Sequence, residues 1–283
     1  MDRSEQKIFP PLWIWMLLFF CSLFFAGFLV HVHSAQTQYE FDSRASYLIR
    51  GFASAKRKPV VLVIGTSLVE FGLDSSKKIE ECIREYAGRS IVLLKVFKSG
   101  ARLSEIMSHM KSLRQVHPDF VVVEANMLFY RPSQEFLLSK WTYLLHQWIE
   151  GATLYHPYIP DSSPSMKTTG KLIDENRNGL IDTSDISSFR DLAASWQSKG
   201  TRFLFLNFPI EKSKEFKKWN GPDTSSFSTN MRFLKEKINL DYVNAGLELD
   251  SSFFYDERHM NPKGRNIFFS SFCKALAIQL KSL

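Results

Sequence analysis

Between Ile8 and Val32 the chain carries no charged residue. A helix of about 20 apolar residues spans the hydrocarbon core of a bilayer. The run Leu12-Trp13-Ile14-Trp15-Met16-Leu17-Leu18-Phe19-Phe20, continued by Phe24, Phe25, Phe28, Leu29 and Val30, meets that length. Trp13 and Trp15 stand near one end, where amphipathic rings favour the interface. Arg3 and Lys7 precede the run, and the next basic residue after it is Arg44. This asymmetry predicts a single span with the N-terminus in the cytoplasm and the rest of the chain outside it, in the periplasm if the cell has one. A cleaved signal peptide, processed near Val32 to Ser34, is the competing reading. The run exceeds the roughly 7–15 residues of a signal core, so an uncleaved anchor is preferred.

The remainder is a different kind of sequence. Of 283 residues, 45% are hydrophobic and 23% charged, which excludes disorder and a collagen-like chain. Mean hydropathy is −0.15 with much of the hydrophobicity in one block, which excludes a polytopic transporter. The expected division is a cytoplasmic tip and anchor over 1–32, a polar tether over 33–58 with a helical stretch near Ser43 to Ala55, and one α/β domain over 59–283. Lys and Arg total 36 against 29 Asp and Glu. The excess is scattered apart from Lys56-Arg57-Lys58, so no nucleic-acid partner is expected. Cys21 falls in the span. Cys82 and Cys273 could pair in an oxidising compartment, but their spacing does not show proximity, and two buried free thiols are the preferred reading. No CxxC or Cys/His cluster points to zinc, and no catalytic cofactor is expected.

Pro59-Val60-Val61-Leu62-Val63-Ile64-Gly65 is short, β-branched and apolar throughout, the pattern of a strand buried on both faces. Strands are also expected at Ser90–Val96, Phe120–Val123 and Arg202–Phe208. Helices are expected at Ser75–Tyr86, Leu103–Val116, Pro132–Trp148, Ser184–Ser198 and from Pro262 to about Lys281. A polar insertion occupies about 150–185. Strands alternating with helices predict a three-layer α/β/α domain around a parallel sheet.

In such sheets ligands gather beyond the carboxyl ends of the strands. Four polar signals fall there: Gly65-Thr66-Ser67-Leu68, Ser99-Gly100-Ala101, Glu124-Ala125-Asn126, and Asp256-Glu257-Arg258-His259-Met260-Asn261-Pro262. A serine hydroxyl needs a base within hydrogen-bond reach. Histidine titrates near neutrality, and an Asp three residues earlier can hold its tautomer and stabilise the imidazolium. Preorganised donors must then hold the oxyanion, each worth about 2.7–4 kcal/mol. Ser67 N–H, Gly100 N–H and the Asn126 amide are the candidates.

In this order the four blocks resemble the SGNH (GDSL-like) hydrolase superfamily over most of residues 59–283. The stretches Gly65 to Gly72 and Asp256 to Gly264 resemble its membrane-anchored, extracytoplasmic branch, which acts in O-acylation of cell-envelope polymers. The resemblance implies a flavodoxin-like sheet, Ser67 as nucleophile, Asp256 and His259 as orienter and base, and Ser67, Gly100 and Asn126 as oxyanion donors. It further implies transfer of a small acyl group, acetyl above all, to or from a cell-envelope polysaccharide, with a multi-spanning membrane acyltransferase as partner. The chain departs from the family pattern in having Thr66 where an Asp usually precedes the serine, and Glu124-Ala125-Asn126 in place of Gly-x-Asn-Asp. Two other functions remain open: a carboxylesterase or lipase with water as acceptor, and a catalytically silent glycan-binding or assembly subunit.

One further motif lies in the insertion. Asp174, Asn176, Asn178, Asp182 and Asp185 offer side-chain oxygens, and Leu180 a carbonyl, at the positions of an EF-hand-type loop with Gly179 at its turn. The loop is expected to take a structural Ca²⁺. Its twelfth position is Asp rather than Glu, which shortens the reach to the ion and resembles the dockerin type of calcium loop.

Overall fold

The computed structural model describes residues 10–98, 103, 106, 117–125, 127, 158–161, 183–212, 236, 241–244 and 248–281. The first helix, α1, runs unbroken from Leu12 to Ala55. Its part from Leu12 to Val32 is the one described helix long and apolar enough to cross a membrane. Trp13, Leu17, Phe19, Phe20 and Phe24 there are exposed. The helix then continues through residues 33–55, the greater part of the stretch read as a tether. No Pro or Gly interrupts Leu29 to Arg50, so nothing local stops the turn-by-turn hydrogen bonding.

The chain divides into two compact units, Met1–Asp42 with Gln134–Pro157, and Ser43–Ser133 with Tyr158–Leu283. The second unit holds the sheet. After α1 come β1 (Val60–Gly65), α2 (Ser67–Gly72), α3 (Ser76–Ala87), β2 (Val92–Phe97) and β3 (Phe120–Glu124). They are followed by α4 (Thr183–Gln197), β4 (Arg202–Asn207), β5 (Asp241–Asn244) and α5 (Pro262–Leu280). The strand order is β2-β1-β3-β4-β5 and every pairing is parallel. This is the doubly wound order whose switch point lies between β1 and β3. The expected α/β/α architecture is therefore observed. Strand β5 went unforeseen, and the helices expected at 103–116 and 132–148 lie outside the described residues except for Leu103 and Ile106.

Period-two alternation divides the strands between two apolar layers. Leu62, Ile64, Leu94, Val96, Val121, Val123 and Phe205 pack with Leu48 and Ala55 of α1 and with Phe189, Leu192 and Trp196 of α4. Val61, Val63, Leu93, Val122, Leu204 and Leu206 pack with α2, α3 and α5 on the opposite face. Val61, Leu62, Val63 and Ile64 are wholly inaccessible. Burying each such side chain stabilises the fold by about 1.5–3 kcal/mol, and both faces need cover.

Strand β2 lies at the rim of the sheet, and side chains complete its outward hydrogen bonds. The Leu93 N–H donates to Glu80 Oε1 at 2.8 Å. The N–H groups of Lys95 and Phe97 donate to the hydroxyls of Tyr47 at 3.3 Å and Tyr158 at 3.2 Å. The Tyr158 hydroxyl in turn donates to Lys95 O at 2.9 Å, and Arg44 Nε donates to Phe97 O at 3.1 Å. Burial pushes the Tyr47 hydroxyl up to about 12 and raises that of Tyr158 further, so both keep their protons.

Candidate active site

Ser67 is the first residue of α2, and β1 delivers it directly through Gly65 and Thr66. Thr66 caps the helix, its Oγ1 accepting from Leu68 N at 3.3 Å. A carboxylate from the neighbouring strand grips the same residue. Glu124, last in β3 and 1% exposed, accepts from Thr66 N at 2.7 Å and from Thr66 Oγ1 at 2.9 Å. The two strands flanking the switch point are thus tied at their carboxyl ends, immediately beneath the serine. A Cβ on Gly65 would stand 2.6 Å from Glu124 Oε2 and would also run into Val69, so only glycine allows this approach.

The other half of the site comes from the turn before α5. His259 Nε2 lies 2.8 Å from Ser67 Oγ, and His259 Nδ1 lies 2.7 Å from Asp256 Oδ2. Asp256 Oδ1 accepts from the N–H groups of Arg258 at 2.7 Å and His259 at 2.8 Å, which closes the turn around the carboxylate. Burial opposes ionisation of Asp256, but the His259 ring and these two N–H groups outweigh it and hold the carboxyl below its usual range. An ionised Asp256 accepts a hydrogen bond from Nδ1–H, which keeps the ring proton on that nitrogen. Nε2 is then left as an acceptor for the serine hydroxyl.

The turn is clamped at both ends. Tyr255 N donates to His259 O at 2.8 Å and Asn261 N to Phe253 O at 3.0 Å. Asn261 caps α5, its Oδ1 accepting from Lys263 N and Gly264 N at 2.9 and 3.1 Å, with Pro262 opening the helix. The His259 ring rests against Phe71 of α2 at 4.8 Å between centroids, and Arg265 Nε donates to Phe71 O at 2.9 Å. A Cβ on Gly264 would run into the carbonyl oxygen of Phe253. Gly264→Ala is expected to lower stability by about 2 kcal/mol, since the obstruction is backbone. Thermal unfolding checks this, and an unchanged midpoint would mean that the Phe253 carbonyl moves aside freely.

Of the residues expected in the site, the structure brings Ser67, His259 and Asp256 together in one hydrogen-bonded chain. Among the described residues nothing accepts from the Ser67 N–H, which leaves it available to an oxyanion. Gly100 and Asn126 lie outside the described residues, as do Asp174, Asn176, Asn178, Leu180 and Asp182 of the calcium-type loop. Asp185 falls in the first turn of α4, with only its backbone described. Among the described residues no group of His, Cys, Asp and Glu could hold a metal ion.

Sequence spacing did not show three supporting groups: Glu124 under Thr66, Phe71 against the imidazole, and the Asn261 cap. The Asn-Pro pair ahead of an apolar helix was the one local signal among them. Glu70, one turn after Ser67, is half-buried. Burial raises its carboxyl, partly countered by the charges of His259, Lys95 and Arg265.

No protein-family model matches the chain, and no curated protein matches it. Solved structures do. A psychrotrophic esterase from Pseudoalteromonas sp. is 14% identical, with 79% of this chain and 99% of that one covered at a TM-score of 0.46. A GDSL-like lipase from Bacteroides thetaiotaomicron is 9% identical, covering 85% and 100% at 0.43. A variant of an acetyl xylan esterase from Geobacillus stearothermophilus is 14% identical, covering 76% and 92% at 0.43. These are distant likenesses of overall shape. The chemistry is read from the side chains of this chain, where a hydroxyl, an imidazole and a carboxylate stand in line at the carboxyl end of a parallel sheet.

Proposed function

We propose that this chain is a serine-dependent acyl-transfer enzyme of the SGNH type, held at the membrane by α1 with its α/β domain outside the cytoplasm. The observation that carries the reading is the unbroken contact from Ser67 Oγ through His259 to Asp256. In the first half-reaction Ser67 Oγ attacks the acyl carbonyl while His259 Nε2 takes the hydroxyl proton. The imidazolium so formed is stabilised by Asp256, and the Ser67 N–H donates to the oxyanion. Collapse of the tetrahedral species expels the leaving alcohol, which takes the proton back from His259. In the second half-reaction an acceptor hydroxyl gives its proton to His259 and attacks the acyl-serine, regenerating Ser67.

Gly100 N–H and the Asn126 amide complete the oxyanion site in this reading. The acyl group is small, acetyl above all, and the acceptor or donor is a hydroxyl of a cell-envelope polysaccharide, as the family resemblance and the apolar span together support. A multi-spanning acyltransferase in the same membrane supplies the acyl group. The Asp174–Asp185 loop holds a structural Ca²⁺ that takes no part in the acyl steps.

The test exposes the purified full chain, in detergent, to an activated acetyl ester and follows intact mass beside product release. One acetyl adduct on the wild type and none on Ser67→Ala is the expected result. A folded wild type that forms no adduct and releases no product overturns the assignment of Ser67 and leaves a binding subunit. Adding a glycan acceptor separates the two enzymes: acyl transfer in excess of hydrolysis marks a transferase, hydrolysis alone an esterase.

A further inference from the structure

Helices α3 and α5 pack side by side on one face of the sheet. The buried stripe of α3 is Ile79, Cys82 and Ile83, and that of α5 includes Phe272, Cys273, Leu276, Ala277 and Leu280. The two helices run in the same direction and in step. Just past the end of α3, Arg89 Nη1 donates to Leu280 O at 3.5 Å, a contact between residues 191 apart in sequence. Cys82 and Cys273 share that separation, Cys82 on α3 and Cys273 two helical turns before Leu280 on α5. Lys274, next to Cys273, places its Nζ 6.0 Å from the centre of the ring of Tyr86, one turn beyond Cys82. These contacts run along the α3–α5 seam in which both cysteines are buried. Both thiols are free and buried in this interface, and Cys82 is among the neighbours that raise the Cys273 thiol. Two of the chain's three cysteines meet in this way. The third, Cys21, is exposed on the apolar part of α1.

We propose that Cys82 and Cys273 are joined in the mature protein as a disulfide that staples α3 to α5. The proposal rests on the extracytoplasmic placement above, because thiols on the cytoplasmic side are kept reduced. The oxidant is a disulfide carrier, a small-molecule disulfide or an exported thiol–disulfide oxidoreductase. The thiolate of one cysteine attacks the carrier disulfide and releases one carrier thiol. The thiolate of the other then attacks the mixed disulfide and releases the second. Two protons and two electrons pass to the carrier, and one S–S bond forms in the protein. Burial, and then the neighbouring Cys82, push the Cys273 thiol well above the usual thiol range, so exchange is slow once the helices have docked. The bond forms while α5 is still docking and afterwards resists reductant.

The staple closes a loop of nearly the same span as the Ser67–His259 contact, whose residues are 192 apart. It holds together the two ends of the chain that carry the nucleophile and the base.

The test counts free thiols on the full chain purified from a host that exports it. The chain is unfolded without reductant, alkylated and weighed. One label, at Cys21, with a Cys82–Cys273 cross-linked peptide in the digest, is the expected result, and prior reduction raises the count to three. The reduced, refolded form should melt roughly 10 °C below the stapled form. A parallel sample, reduced, unfolded and refolded in a glutathione disulfide couple, separates the two grounds of failure. Three labels on the exported chain overturn the proposal. If the refolded sample nevertheless carries the link, the placement outside the cytoplasm is at fault; if it does not, the pairing itself is wrong. A link that uses Cys21 also overturns it.

Discussion

His259→Ala is expected to slow acyl-enzyme formation by about 10⁴- to 10⁶-fold, the range in which removal of a base acting in a unit with its nucleophile falls. The reason is local. Nε2 is the one base in hydrogen-bond contact with Ser67 Oγ among the described residues, and a serine hydroxyl at neutral pH is otherwise a poor nucleophile. Asp256→Asn is expected to lose about 10⁴-fold by a different route. In the wild type Oδ1 is already held by two backbone N–H groups and Oδ2 faces Nδ1. An Asn would keep its oxygen on the N–H groups and turn its amide donors to Nδ1. The ring proton would then move to Nε2, where it blocks acceptance from Ser67.

Single-turnover rates with an activated acetyl ester check both variants. Ser67→Ala combined with His259→Ala should be no slower than Ser67→Ala alone, and multiplicative losses would show that the two do not act as a unit. Because the native carboxyl of Asp256 titrates below its unfolded value, its contribution to stability is complete above that unfolded value, about pH 3.9. It is lost as pH falls through the native value. Acid loss of folding through this residue therefore belongs below about pH 4.

The second large effect is on stability. Lys95 points from β2 into the apolar layer and its side chain is 3% exposed, yet its Nζ meets Asp161 Oδ1 at 2.7 Å and Asp74 O at 2.9 Å. The same Asp161 oxygen accepts from Ser76 N at 2.9 Å and Ser76 Oγ at 3.1 Å, at the start of α3. Burial disfavours the charge on both partners. For Asp161 the hydrogen bonds prevail and lower the carboxyl, whereas burial of Lys95 prevails and lowers the ammonium. Asp161→Ala would strand that ammonium, at a cost of about 3 kcal/mol. This is the low end for a broken buried pair, because Asp161 is 38% exposed and water reaches its side.

Adding Lys95→Met removes the stranded charge and should recover most of the loss. Urea unfolding of the wild type, the single variant and the double variant checks this. A double variant as unstable as Asp161→Ala would mean that the Ser76 contacts, not Lys95, carry the effect. The stabilisation from Asp161 is present above the usual carboxylate range and falls away as pH drops through its lowered native value.

What the sequence disclosed follows from which contacts are local. Val60–Gly65 and Arg202–Asn207 announce themselves because a strand covered on both faces is apolar at every position. Asp256 and His259 share one turn, so their spacing already carries the hydrogen bond. The meeting of Ser67 with His259 was legible only through the rule that parallel strands present their carboxyl ends to one crevice. Strand β5 gave little sign, since Asp241–Asn244 is four residues long with polar ends and is defined by its pairing with β4. Thr66 and Glu124 each looked like a departure from a family pattern when read singly. They become intelligible as a pair, 58 residues apart, only once β1 and β3 are neighbours. Tyr47 and Tyr158 stood in stretches read as tether and insertion, where nothing in composition says that a phenol will serve the backbone of a distant strand.

The closed rim at β2 bears on how such a protein lives with its neighbours. A membrane gathers its occupants into two dimensions, and an unguarded sheet margin would be offered again and again to the extended segments of other chains. Here the outward N–H groups of Leu93, Lys95 and Phe97 are already bound to Glu80, Tyr47 and Tyr158. An incoming strand would have to displace a carboxylate and two phenols before forming its first ladder bond. Two of the guarding groups, Arg44 and Tyr47, lie on the helix that continues from the apolar span. On that side the sheet is closed to strand addition.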